Sequence, residues 1–229
     1  MSDSAVVGTG GLRELRRAYL CRRYAILFYT LLLTMVAAPV FAAFELKGSL
    51  IEFFFAANLL AAVIPVSAGR GRRVLLAILT VVWLARPATE WFDHPALSAL
   101  TLGMWTLIGL FAAAAALRFA MRATSVDVEH LYAALSAYLL AGIFFGHFYW
   151  VLQQVWPHTF AVTGDFSRMS AIYFSFVTLA TLGYGDIVPR SDLARGLAIV
   201  EGVGGQLFLA VLVARLVSLY GRGEPGARS

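Results

Sequence analysis

Six apolar segments, each roughly as long as a membrane-crossing helix, dominate the sequence. A helix needs about 20 apolar residues to cross the hydrocarbon core of a bilayer, which is roughly 30 Å thick. Segments of about that length occupy residues 24–44, 49–65, 74–92, 96–120, 131–151 and 193–220. Only 14% of the residues are charged, whereas soluble domains average about 25%. The sequence therefore predicts an all-α membrane protein with six transmembrane helices.

The distribution of arginines predicts the orientation of these segments. Arginines crowd the start of the chain, the turn at 69–73, the end of the fourth segment and the tail after residue 220. Every second turn is therefore basic, which the positive-inside rule expects when both termini are cytoplasmic. We expect four divisions: a basic cytoplasmic segment (1–23), a four-helix peripheral domain (24–125), a second helical domain (126–221) and a short cytoplasmic tail (222–229).

The basic start of the chain allows other interpretations. Residues 12–24 could form an amphipathic helix on anionic lipid, or serve only as a topological signal. The region also resembles a secretory signal, with a basic start, an apolar run and alanines near residues 40–43. Cleavage there would leave an odd number of spans and upset the alternation of arginines. We therefore expect residues 24–44 to remain as the first span.

A short glycine-containing run lies between the fifth and sixth apolar segments. It reads Thr181-Leu182-Gly183-Tyr184-Gly185. Glycines at alternate positions tolerate positive φ, so the backbone can alternate its handedness and turn consecutive carbonyls toward one axis. A helix beginning near Arg168, capped by Asp165 or Ser167, is expected to precede it. An ordinary glycine-rich turn is the alternative, but the membrane-length segments on both sides favour a pore.

In this setting the run resembles the selectivity filter of potassium channels. The resemblance is specific over about residues 168–190, moderate across 126–221 and architectural over the first 120 residues. It implies that 126–221 is a pore domain, with a re-entrant pore helix and a filter between the fifth and sixth helices. In such filters, stacked rings of oxygens replace the water shell of K+. Since one chain carries one run, the resemblance implies a homotetramer with fourfold symmetry.

The resemblance also implies which residues bind the ions. The ion-binding oxygens would come from Thr181, Leu182, Gly183, Tyr184 and Gly185. The K+ ions themselves are expected at Thr181, Leu182, Gly183 and Tyr184, and no other cofactor is expected.

Residues around the filter are assigned in the same way. In potassium channels the acid matching Asp186 tethers the outer filter to an aromatic residue of the pore helix. Tyr173 and Phe174 stand where many relatives carry two tryptophans. Tyr173 can donate through its hydroxyl, and Phe174 can pack against Tyr184. Glu201, about two turns inside the sixth span, is expected to brace the pore helix.

Two sequence features concern gating. Glycines interrupt the sixth span at Gly202, Gly204 and Gly205, and they serve either as a gating hinge or for close helix packing. The fourth span carries no charge before Arg118, whereas a voltage sensor needs arginines repeated through the membrane field. We therefore expect no conventional voltage sensor.

The expected function is passive K+ conduction in the cytoplasmic membrane, with K+, membrane lipids and further copies of the chain as partners. No acid, base and nucleophile converge, so an enzyme is not expected. Despite a net charge of +5, the arginines form no aromatic-interleaved surface, so nucleic acid is not an expected partner. Two alternatives stay open: a weakly selective cation channel, and a non-conducting membrane sensor or accessory subunit.

Overall fold

The computed structural model of the chain describes residues 22–43, 95–121 and 128–220. In this part of the chain, five helices and two short strands follow one another. They are α1 (Arg23–Ala43), α2 (Pro95–Ala120), α3 (Val128–Val155), β1 (Phe160–Val162), α4 (Arg168–Leu179), β2 (Ile187–Pro189) and α5 (Asp192–Tyr220). The predicted second and third spans, the basic start and the tail lie outside the described residues.

The long helices coincide with four of the predicted spans. Helix α3 and the segment Asp192–Ser218 of α5 are long and apolar enough to cross a membrane. Helices α1 and α2 contain shorter apolar runs, Arg23–Ala37 and Gly109–Ala120. The described residues thus agree with a helical membrane protein, while the prediction of six spans extends to residues that the structure does not describe.

Helix α3 is the central element, because α1, α2, α4 and α5 all pack against it. Alanines dominate the contact of α2 with α3, and larger side chains of α1 complete it. The buried members include Ala112, Ala113 and Ala116 of α2, Ala133, Ala134 and Ala137 of α3, and Tyr24, Leu27 and Leu31 of α1. Small side chains allow such helices to approach closely.

Helix α4 begins at Arg168, as the sequence predicts. Ser167 is the N-cap, with extended backbone and an Oγ that accepts a hydrogen bond from the Ser170 N–H at 3.1 Å. This bond satisfies one of the N–H groups that a helix start leaves unpaired. At the other end, the Ala180 N–H donates to the Phe176 carbonyl at 2.9 Å, and the chain then leaves the helix.

A two-stranded antiparallel sheet corrects the all-α prediction in one detail. Phe160 of β1 lies opposite Pro189 of β2, and Val162 lies opposite Ile187. Each strand has three residues, which is too short for the alternation that reveals strands in a sequence. Because β1 precedes α4 and β2 follows residues 180–186, the sheet joins the two ends of the segment that carries the candidate site.

Candidate functional site

Residues 181–186 connect the end of α4 to β2 without regular secondary structure. The backbone angle φ is +56° at Thr181, +58° at Gly183 and +80° at Gly185. Positive φ therefore alternates with ordinary values at Leu182 and Tyr184. The two glycines adopt the conformation that their spacing predicts. Thr181 adopts it as well, although no feature of the sequence indicated this.

The carbonyl groups of this run have no hydrogen-bond partners inside the described chain. The N–H groups of Thr181 and Leu182 donate to carbonyls of Thr178 and Val177 at 3.1 and 2.9 Å, which anchors the run on the last turn of α4. None of the hydrogen bonds between described residues is accepted by a carbonyl of residues 181–185. Because backbone carbonyls are strong acceptors, five consecutive free ones can bind water or a cation.

The run lies on an open side of the single chain. A Cβ built on Gly183 or Gly185 meets no atom within 4 Å. The side chains of Leu182 and Tyr184 are 55% and 66% exposed. Large apolar groups exposed in this way commonly mark a surface that contacts another molecule.

Tyr173 is the aromatic residue of α4 that lies beside Tyr184 of the run. Its ring stacks on that of Tyr184, with centroids 6.3 Å apart and an interplanar angle of 2°. Its hydroxyl also interacts with the Asp186 carboxylate. Tyr173 thus connects α4 to the last residues of the run.

Phe174 lies on a different side of α4, so the expectation that it packs against Tyr184 is wrong. Its ring packs edge-on against Tyr149 and Phe160, with centroid distances of 5.1 and 5.3 Å. Consecutive residues of a helix do not share a face, and Tyr173 occupies the side toward Tyr184. Phe174 instead fills the buried cluster behind α4.

Glu201 lies at the junction of α3, α4 and α5 and is 2% exposed. The Tyr149 hydroxyl donates to Glu201 Oε2 at 2.6 Å. Ser175 Oγ contacts Glu201 Oε1 and lies 2.7 Å from the Gly142 carbonyl oxygen. Glu201 thus reaches α4 from α5. Sequence reasoning missed Ser175 and Tyr149, because a lone serine and a lone tyrosine in apolar helices form no motif.

The glycines of α5 have different surroundings within an uninterrupted helix. A Cβ at Gly205 would lie 2.7 Å from Leu179 Cδ2, and one at Gly202 would lie 3.7 Å from Thr178 Cγ2. A Cβ at Gly204 would meet nothing within 4 Å. Gly205 therefore allows α5 to pack closely on α4. Packing on α4 does not require a glycine at position 204. The hinge remains a prediction.

Two glycines of α3 set its distance to α4. A Cβ at Gly142 would lie 2.6 Å from the Phe176 ring, and one at Gly146 would lie 2.5 Å from Ile172 Cα. Their spacing of four residues places both on one face of the helix. This small-xxx-small spacing is typical of closely packed membrane helices, and it was a signal that sequence reasoning could have used.

Part of the chain, including this region, is similar to known proteins. Residues 134–222, less than half of the chain, match a family profile described as an ion channel. The two-pore potassium channel 4 of Arabidopsis thaliana is 48% identical over 50 residues, which are 22% of this chain and 18% of that protein. The segment is therefore similar to ion channels, and to potassium channels among them. The matched profile runs from the early turns of α3 past the end of α5.

Prokaryotic potassium channels match the same chain. The voltage-gated potassium channel Kch of Escherichia coli strain K12 is 42% identical over 55 residues, 24% of this chain and 12% of that protein. The probable potassium channel protein 2 of Methanocaldococcus jannaschii is 41% identical over 51 residues, 21% of this chain and 15% of that protein. The matches span less than a fifth of each of these relatives. No solved structure matches the chain significantly.

Proposed function

We propose that this protein is a homotetrameric, potassium-selective channel that conducts K+ passively through the run Thr181–Gly185. The observation that carries the proposal is the set of five consecutive free carbonyls with alternating backbone handedness. It occurs directly after a short helix, within the segment that matches the ion-channel profile. An ion channel is not an enzyme, and no catalytic role is proposed.

The chemistry of the run suits a dehydrated monovalent cation. Carbonyl oxygens can replace the hydration shell of K+, and the Thr181 hydroxyl can add a further oxygen. Helix α4 ends at Leu179, two residues before the run. Because a helix C-terminus carries a partial negative charge, α4 favours a cation beside it. In the proposal, K+ ions occupy sites at Thr181, Leu182, Gly183 and Tyr184.

The single run in each chain and the exposed apolar surface support assembly of several chains, and the resemblance to potassium channels implies four. One chain supplies one run, and a ring of oxygens around an ion needs several copies. Helix α5 also exposes large apolar side chains along much of its length. They are Leu193, Ile199, Val200, Val203, Leu207, Val211, Val213 and Val217. In the proposed channel, neighbouring chains and lipid cover this surface.

The proposed channel has no conventional voltage sensor. Helix α2 carries a basic residue only in its last turn, Arg118, and no acidic residue in its first turn. Arginines spread through the span would be needed to move substantial charge in the membrane field. We place the channel in the cytoplasmic membrane with both termini inside, on the basis of the alternating arginines.

The test is the reversal potential of currents through the purified protein in planar bilayers, under opposed potassium and sodium gradients. Potassium selectivity predicts a reversal potential close to the potassium equilibrium potential. A current that reverses near zero would contradict selectivity and support a weakly selective cation channel. Absence of current at all voltages and pH values would instead favour the non-conducting sensor or accessory subunit.

A further inference from the structure

A buried polar cluster at the junction of α3, α4 and α5 has a role beyond packing. It consists of the side chains of Glu201, Ser175 and Tyr149 and the carbonyl of Gly142. The three side chains are at most 2% exposed. Ser175 lies six residues before Thr181, so the cluster is less than two helical turns from the start of the filter.

The Glu201 carboxyl has no basic partner in the described part of the chain. The described groups that act on it are the hydroxyls of Tyr149 and Tyr138 on α3 and of Ser175 on α4. None of these carries a positive charge. A buried carboxylate without a counter-charge is costly, because the interior replaces the lost hydration poorly.

Three contacts surround Glu201, but the hydroxyls of Tyr149 and Ser175 supply only two protons. An ionised Glu201 adds none. Ser175 Oγ has a single proton but lies against two acceptors, the Gly142 carbonyl and Glu201 Oε1. If Glu201 is ionised, one of these contacts has no proton. If Glu201 is protonated, it donates to Ser175 Oγ, Ser175 donates to Gly142, and Tyr149 donates to Oε2. Every contact is then satisfied.

We propose that Glu201 is protonated in this conformation and that its proton leaves the Ser175 hydroxyl free to hold α4 to Gly142 of α3, so that potassium current falls when the proton is lost at higher pH. Loss of the proton directs the Ser175 hydroxyl to the carboxylate and leaves the Gly142 carbonyl without this partner. The last turn of α4, on which Thr181 and Leu182 are anchored, then loses part of its support. The statement about current rests on the proposed function, whereas the statement about protonation does not.

Infrared spectroscopy of the full chain in lipid tests the protonation directly. The wild-type protein at neutral pH is expected to show the carbonyl-stretch band of a protonated carboxylic acid. This band should be lost in Glu201→Gln. A spectrum without the band, or a band that Glu201→Gln leaves unchanged, would overturn the proposal whether or not the protein conducts ions.

A second variant keeps this test decisive if Glu201→Gln folds poorly. Ser175→Ala removes the acceptor of the Glu201 proton, so the acid band should move to higher frequency. The matched control is Ser218→Ala, which changes an exposed serine of α5 and should leave the band in place. A band unaffected by Ser175→Ala would show that the Glu201 proton does not bind Ser175.

Potassium flux into liposomes across a range of pH tests the regulatory part. We expect the wild-type flux to fall severalfold as pH rises, and we expect Glu201→Gln to conduct with no such dependence. The glutamine amide is neutral, can donate to Ser175 and can accept from Tyr149. A wild-type flux independent of pH, or an equal dependence in both proteins, would contradict the regulatory role. Absence of flux in both would contradict the proposed function and leave the infrared result to decide protonation.

Discussion

Replacing Gly183 by alanine is expected to abolish potassium-selective conduction. Gly183 has φ of +58°, and a side chain in this left-handed region costs about 1–2 kcal/mol per residue. In the proposed tetramer the cost recurs in every chain and totals about 4–8 kcal/mol, enough to lower the population of this filter conformation far more than tenfold. The measurement is the potassium conductance and the potassium-to-sodium permeability ratio in planar bilayers.

Gly196→Ala is the matched control for this prediction. Gly196 lies in α5, its φ is not positive, and a Cβ there meets nothing within 4 Å. We expect Gly196→Ala to conduct like the wild type. If Gly183→Ala keeps wild-type conductance and selectivity, the alternating backbone of the run is not the selective element.

Replacing Gly146 by alanine is expected to lower the free energy of unfolding substantially. The new Cβ would lie 2.5 Å from Ile172 Cα, and a backbone atom cannot rotate away as a flexible side chain can. Helices α3 and α4 must therefore separate, and overpacking of this kind typically costs about 1–3 kcal/mol. The separation should also draw Ser175 away from Gly142. Thermal unfolding in detergent micelles measures the loss.

Gly103→Ala in α2 is the control, since a Cβ at Gly103 meets nothing within 4 Å. Alanine favours a helix over glycine by about 1 kcal/mol, so this variant should unfold at the wild-type temperature or above it. Equal stability of Gly146→Ala and Gly103→Ala would contradict the close contact between α3 and α4.

The described helices could be predicted from the sequence because their signals are local. Apolar length identified α1, α2, α3 and α5 to within a few residues. Asp165 and Ser167, the two candidate caps, placed the start of α4 near Arg168, and Ser167 is the cap. The spacing of Gly183 and Gly185 predicted where the backbone takes positive φ. These features depend on a few neighbouring residues, so one sequence is sufficient to find them.

The contacts between helices could not be predicted in the same way. Phe174 was assigned to the filter, but its packing partners come from α3 and β1, which are distant in sequence. The role of Ser175 and Tyr149 depends on their contacts with Glu201, which the three-dimensional structure alone reveals. The small sheet was missed because its pairing depends on two short segments that flank α4.

The central claim is that carbonyls from four copies of residues 181–185 coordinate K+ on a common axis. The most direct measurement is anomalous scattering from rubidium in crystals of the purified protein prepared with rubidium in place of potassium. We expect a column of rubidium sites on a fourfold axis, coordinated by oxygens of Thr181, Leu182, Gly183 and Tyr184 from each chain. The claim would be contradicted if the four copies of residues 181–185 faced no common axis. It would also be contradicted if no rubidium lay beside their carbonyls.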